Sequence, residues 1–159
     1  MGREIERKFL LRNDSWRRER ADQERLRQGY LVAEKSRSVR VRLARGENAV
    51  LTIKGETRGA TRSEFEVAIP RDEAEEILEE LCLRPLIDKT RHRLEHAGHE
   101  WVIDEFHGAH AGLVVAEIEL AAESESFERP DWLGEEITDD PRYYNANLVR
   151  KGTRPEASR

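Results

Sequence analysis

Residues 4–11 read EIERKFLL. Glu4, Glu6 and Lys8 alternate with Ile5, Arg7 and Phe9, which is the two-residue period of a β-strand carrying three charges on one face. Alone, such a strand is the wet side of an ordinary sheet, because charged side chains usually face water. Its meaning depends on whether other strands repeat it.

They do. In SVRVRLA (38–44), Arg40 and Arg42 share one face and Val39, Val41 and Leu43 the other; in VLTIK (50–54), Thr52 and Lys54 oppose Leu51 and Ile53. In SEFEVAI (63–69), Glu64 and Glu66 oppose Phe65, Val67 and Ile69. Lys89, Arg91 and Arg93 share a face of DKTRHRL (88–94), and Glu117 and Glu119 oppose Ile118 and Leu120 in LVVAEIEL (113–120). The charges segregate by strand, whereas a solvated face mixes signs and uses neutral polar residues freely. Like charges side by side repel, so this clustering calls for a ligand or for opposing strands that neutralise it.

Around these segments the chain reads QGYLVA (28–33) as a further strand, with turn-formers at ARGEN (44–48) and KGETRGA (54–60). LIDKTRHRLEH (86–96) and HEWVIDEFHG (99–108) flank a short AGH turn. The polar stretch NDSWRRERADQERLR (13–27) reads as a short helix and connector capped by Asp14 or Ser15. Pro70 ends a strand, and Ala74, Ile77, Leu78 and Leu81 then fall at helical spacing behind acidic residues. DDPRYYNANLVR (139–150) reads as a short final helix. Some eight strands in adjacent order with few helices predict an α+β fold, a meandering antiparallel sheet or barrel. With its apolar face turned outward against the helices, such a sheet encloses its charges. A charged lumen cannot be dry, since unpaired buried ions cost several kcal/mol each. Carboxylates suit a hard divalent cation, arginines and lysines suit phosphate oxygens, and both together suit a polyphosphate with its metal.

Bulk properties narrow the classes. The 159 residues suffice for one domain with a real core. A net charge of −5 argues against a general nucleic-acid binder. The single cysteine, Cys82, rules out an intramolecular disulfide and suits a reducing cytoplasm; it is read as a core residue. No apolar run approaches membrane-spanning length, and no secretory leader is read at the N-terminus. His92, His96, His107 and His110 lack the spacing of a metal set and read as surface or structural residues, Trp101 and Trp132 as packing residues. No nucleophilic triad or glycine-rich phosphate loop is present.

In order along the chain, Glu4-x-Glu6-x-Lys8, RQGYL (27–31), Arg40-x-Arg42, TIKG (52–55), EFEVAI (64–69), DKTR (88–91), WVIDEF (101–106), EIEL (117–120) and EEITDDPRYYNANL (135–148) resemble the CYTH superfamily, the triphosphate tunnel metalloenzymes. The resemblance spans residues 1–149. It implies an eight-stranded antiparallel tunnel in residues 1–152, with a few helices packed outside and a flexible tail at 153–159. It implies hydrolysis of a triphosphate with Mg²⁺, or Mn²⁺ as the alternative. Glu4, Glu6, Glu117 and Glu119 would be the metal-binding carboxylates. Lys8, Arg40, Arg42, Lys54, Lys89 and Arg91 would cradle the triphosphate, with Arg93 farther along its strand. Glu64, Glu66 and Asp104 would line the lumen as metal ligands, water-positioning groups or partners of the cations. Tyr30, otherwise a packing aromatic, would bring its hydroxyl near Lys8, and these two would be the catalytic pair. Some relatives carry lysines in the final helix; YYNANL offers none. Inorganic tripolyphosphatase activity is the expectation. ATP cyclisation of the class IV type, an organic (thiamine or nucleoside) triphosphatase, and a non-catalytic polyphosphate-binding module remain alternatives. No nucleic acid or membrane partner is expected, and a homodimer is left open.

Overall fold

The structure, a computed structural model, describes residues 2–44, 48–152 and 155. The tail at 153–154 and 156–159, and residues 45–47 of the turn read at ARGEN, lie outside the described residues. Among the described residues the order is β1 (Gly2–Leu11), a 3₁₀ turn (Ser15–Arg18), β2 (Asp22–Ala33), β3 (Arg37–Ala44), β4 (Ala49–Gly55), β5 (Thr61–Ile69) and α1 (Arg71–Glu80). Then come β6 (Ile87–His96), β7 (His99–Phe106), β8 (Val114–Glu119), β9 (Leu133–Glu136) and α2 (Asn145–Lys151), with 3₁₀ turns at Gly108–His110 and Pro141–Tyr143.

The sheet runs β5-β4-β3-β2-β6-β7-β8-β1-β9, all pairs antiparallel, and β5 also pairs with β1, so eight strands close into a barrel. β1 makes the closure by dividing one edge between two partners. Gly2–Ile5 pair with β5, and Phe9 and Leu11 pair with β9, while the other edge serves β8.

Apolar side chains point outward, as the alternation predicts, and they are covered in two patches. Phe9, Trp101, Ile103, Ala116 and Ile118 pack beneath Trp16, Trp132 and Phe127. Trp101 meets Phe9, Phe127 and Trp132 edge-on, with centroids 5.4–5.8 Å apart, a favoured arrangement for aromatic rings. Val41, Leu43 and Ala49 pack under Ala74 and Leu78 of α1. The outer face of β4 and β5 is an exception: Ile53, Phe65 and Val67 point outward but remain exposed. A third cluster joins Tyr30, Ile87, Phe106 and Val115 to Leu148 and Val149 of α2. α1 packs outside as expected, whereas residues 144–147, at the start of α2, line the lumen.

Two segments differ from the sequence reading. Residues 22–27 are strand rather than connector and pair with β6, from Asp22↔Arg93 to Arg27↔Asp88. Charged residues here misled the helix reading; Arg25 donates twice to Asp88, at 2.7 and 2.8 Å, so the strand satisfies its outer charges by pairing. The expected helix shrinks to the 3₁₀ turn, and Asp14 makes no capping bond; the Ser15 amide instead donates to Asn13 Oδ1. β9 was not foreseen. Its Gly134 lies so close to β1 that a Cβ would stand 2.7 Å from the Leu10 carbonyl oxygen, a backbone atom that cannot rotate away. Gly134→Ala is expected to cost about 1–3 kcal/mol, as overpacking does, read as a lower midpoint in urea.

Candidate functional site: a charge-lined tunnel

The barrel encloses a cavity of about 1030 Å³, lined by every predicted site residue except Asp104. Local strand geometry explains this: each inward residue is two positions from the next on its strand, and antiparallel pairing sets inward residues opposite one another. Glu6 faces Glu119, and Lys8 faces Glu117, across β1 and β8. Tyr30 faces Arg40 across β2 and β3, and Lys54 faces Glu64 across β4 and β5.

Carboxylates gather along β1, β5 and β8. Lys54 Nζ lies 2.7 Å from Glu4 Oε1 and 3.3 Å from Glu64 Oε2. Lys8 Nζ sits between Glu6 and Glu117 at 3.7 and 3.8 Å, and 5.6 Å from the centroid of the Tyr144 ring. Its backbone is pinned from β9 and beyond: the amide donates to Thr138 Oγ1 at 3.0 Å, and the carbonyl accepts from Ile137 at 2.8 Å. Burial disfavours the Lys8 ammonium, but Glu117 and Glu6 more than offset this and hold its pKa above the ordinary value. Tyr30 acts on the Lys8 charge more weakly. Burial pushes the Glu4 carboxyl up, opposed by Lys54 and assisted by Glu64. Burial also raises Glu119, with Glu4 and Glu6 adding to it. This wall carries more negative charge than its lysines neutralise.

Cations gather along β3 and β6, with Tyr30 and Gln28 of β2 between them. Burial, then the neighbouring Arg40 and Arg91, push the Arg42 guanidinium down from its ordinary value. Asp104 is the counter-ion of this wall. It is buried, accepts two bonds from Arg91 at 2.8 Å, and accepts one from Lys89 at 2.8 Å. Lys89 and Arg91 together override its burial and hold its carboxyl well below the usual range. Of the roles expected for Asp104, its contacts are those of a partner to basic residues. Burial draws Lys89 down, opposed by Asp104 and assisted by Arg91 and Arg42. Arg93 lines the outer reach of the cavity, largely exposed and 3.4 Å from Glu100. Thr52 donates to Glu66 at 3.4 Å.

Three contributors were missed. Arg62 lines the cavity 3.9 Å from Glu4. It was legible, since in TRSEFEV it shares the inward parity of Glu64 and Glu66. Tyr144 and Asn145 reach the lumen from the closing segment, and no periodicity could have shown this. Arg40 and Arg62 each keep a buried Nε that makes no hydrogen bond, although Arg62 Nε lies 3.9 Å from Glu4 Oε1. Buried donors are ordinarily paired, so these two stand ready for an acceptor from outside the chain.

A divalent cation has hard oxygen donors here in Glu4, Glu6, Glu64, Glu117 and Glu119, which suits Mg²⁺ or Mn²⁺ chemistry. Among the described residues no three carboxylates already converge as a ligand set. Mg²⁺ needs no such cage, since it keeps its waters and is held by one or two carboxylates plus substrate phosphates. The donor set fits.

A closed antiparallel sheet with its charges turned inward defines a charge-lined β-tunnel protein. The chain belongs to the CYTH domain family, whose family model matches residues 2–152. It is 47% identical over 150 residues to an inorganic triphosphatase of Acetivibrio thermocellus, covering 94% of this chain and 95% of that one. An inorganic triphosphatase of Nitrosomonas europaea is 34% identical over 128 residues, covering 78% and 83%. The crystal structure of the inorganic triphosphatase NE1496 superposes with a TM-score of 0.66 at 32% identity, over 91% of this chain and 96% of that one. No helix among the described residues is long and apolar enough to cross a membrane.

Proposed function

We propose that this chain, acting as a single domain over residues 1–152, hydrolyses inorganic tripolyphosphate to pyrophosphate and phosphate in its tunnel, with a divalent cation. The observation that carries the reading is a cavity walled by Arg40, Arg42, Lys54, Arg62, Lys89 and Arg91, in which Arg40 and Arg62 each keep a buried Nε without a hydrogen-bond acceptor. The inorganic triphosphatases of similar sequence support it. Tripolyphosphate, with about four to five negative charges, can engage several strands at once through charge-assisted bonds. Arg40, Arg42 and Arg62 bind it through their guanidinium groups, Arg91 through the donors that Asp104 leaves free, and Lys54 and Lys89 as point charges. Lys8 carries its positive charge to a phosphoryl oxygen where charge develops, held in place by the clamp on its backbone. Tyr30 acts with Lys8. Mg²⁺, with Mn²⁺ as the alternative, would be held by Glu4, Glu6, Glu117 and Glu119, with Glu64 and Glu66 beside them. When bound, it neutralises phosphoryl charge and lowers the pKa of its water. Water attacking a terminal phosphorus then releases phosphate and leaves pyrophosphate.

Phosphate release from tripolyphosphate, ATP, thiamine triphosphate and pyrophosphate, with Mg²⁺, Mn²⁺ or chelator, is the direct test. Tripolyphosphate should be the best substrate, and pyrophosphate should accumulate because it is too short to reach all the cationic strands. Cyclic AMP formed from ATP faster than phosphate from tripolyphosphate would make the chain a cyclase. Tight tripolyphosphate binding with no turnover under any metal would make it a binding module. Arg40→Ala and Arg62→Ala should each lower kcat/KM for tripolyphosphate by roughly ten- to a hundredfold, the worth of one charge-assisted contact. Unchanged kinetics in both variants would remove these donors from the substrate site.

A further inference from the structure

The closing segment brings no described cation into the lumen; Asp139, Pro141 and residues 144–147 line it. Asn145 nevertheless touches the cationic wall. Its Oδ1 accepts from Lys89 Nζ at 3.2 Å and from Gln28 Nε2 at 3.2 Å. Gln28, fully buried, in turn accepts the Arg42 Nε–H on Oε1 at 3.0 Å. Arg42 can only donate, so Gln28 must offer its oxygen there and its NH₂ to Asn145, which must then offer its oxygen. A single obligate donor thus polarises the whole chain from β3 through β2 to α2, and no flipped amide satisfies it.

We propose that Asn145 is a positioning and substrate-binding residue of the tunnel. Resting on the tripolyphosphatase reading above, it would fix the aim of Arg42 and Lys89 and offer its own Nδ2–H₂ to the phosphate. Arg42 spends its Nε on Gln28 and keeps both terminal nitrogens for the lumen. Lys89 spends two of its three hydrogens, on Asp104 and on Asn145, and keeps one. Asn145 lines the cavity with its oxygen doubly engaged, so its amide nitrogen is the donor left over. A neutral group suits this position. Arg42, Arg91 and Lys89 already crowd one wall, and another cation would add repulsion where an amide adds a donor and relieves a lysine.

The test uses the full chain with tripolyphosphate in the presence of chelator, so that binding is read apart from turnover. Asn145→Asp keeps the acceptor for Lys89 and Gln28 but removes the Nδ2 donor and places a negative charge beside the phosphate. Asn145→Ala removes both functions. Calorimetric Kd for tripolyphosphate should rise roughly ten- to a hundredfold in each, as expected for contacts to charged groups, with Asn145→Asp the weaker binder although its ligand-free Tm is maintained. With metal present, the loss should appear mainly in KM. Gln28→Glu, which still accepts from Arg42 but cannot donate to Asn145, should weaken binding by less than Asn145→Ala. If both Asn145 variants bind tripolyphosphate like the natural chain and only Tm falls, Asn145 is a structural plug residue and the inference fails alone. If the natural chain itself binds no tripolyphosphate, the substrate reading fails and this one with it.

Discussion

Glu6→Gln and Glu119→Gln are expected to abolish nearly all tripolyphosphate turnover, and Glu119→Gln to make the metal-free protein more heat-stable, whereas Glu6 also balances the buried Lys8 at 3.7 Å. The two carboxylates face each other across β1 and β8, and like charges directly opposite on a sheet destabilise it. Burial already holds the Glu119 carboxyl above its ordinary value, and Glu4 and Glu6 push it further. A glutamine keeps the shape, removes the repulsion and removes a hard anionic ligand. Loss of a directly coordinating carboxylate should exceed the ~10–100-fold that residues behind the ligands typically command. Two measurements check the pair of effects: turnover across a Mg²⁺ titration, and Tm in chelator. Near-normal activity of both variants at limiting Mg²⁺ would overturn the metal assignment, and a fall in the metal-free Tm of Glu119→Gln would overturn the repulsion.

Asp104→Asn should behave in the opposite way. Asp104 is buried under three bonds from Lys89 and Arg91, and its neutralisation strands two cations without their counter-ion. Breaking one side of a buried ion pair costs about 3–5 kcal/mol, so the variant should lose that much in urea unfolding with no metal present. Were Asp104 chiefly a metal ligand, chelated protein would be indifferent to the change or stabilised by it, as at Glu119. The sign of ΔΔG in chelator therefore separates the two roles. Because its folded-state pKa is depressed, Asp104 contributes stability that is present above the ordinary carboxylate range. That contribution is lost only as pH falls through the lower folded value, so mild acid should leave it intact.

The second strand shows where reading residues in line runs short. Its charges, taken consecutively, suggested a solvated helix and connector; they are strand because β6 lies alongside to take Arg25 on Asp88 and Arg27 opposite Asp88. β9, four residues long with one glycine tight against β1, has too short a pattern to announce itself. The segment Tyr144–Asn147 carries no charge at all, and its place in the lumen depends on Leu148 and Val149 finding Tyr30, Ile87 and Phe106.

Which side chains share a face is local information, legible along the chain. In an extended chain alternate residues point to opposite sides whatever the partners, so EIERKF, SVRVRL, SEFEVA, DKTRHR and AEIE each declare their charged side locally. Arg62 was declared in the same way and overlooked. The tertiary structure alone decided which charge meets which. Closure of β5 onto β1 sets Lys54 between Glu4 and Glu64, the β6–β7 register gives Asp104 to Lys89 and Arg91, and the return of α2 brings Asn145 to Gln28. Facing is a property of one residue's backbone dihedrals, whereas pairing is a property of register between segments far apart in the chain, fixed only when the whole barrel closes.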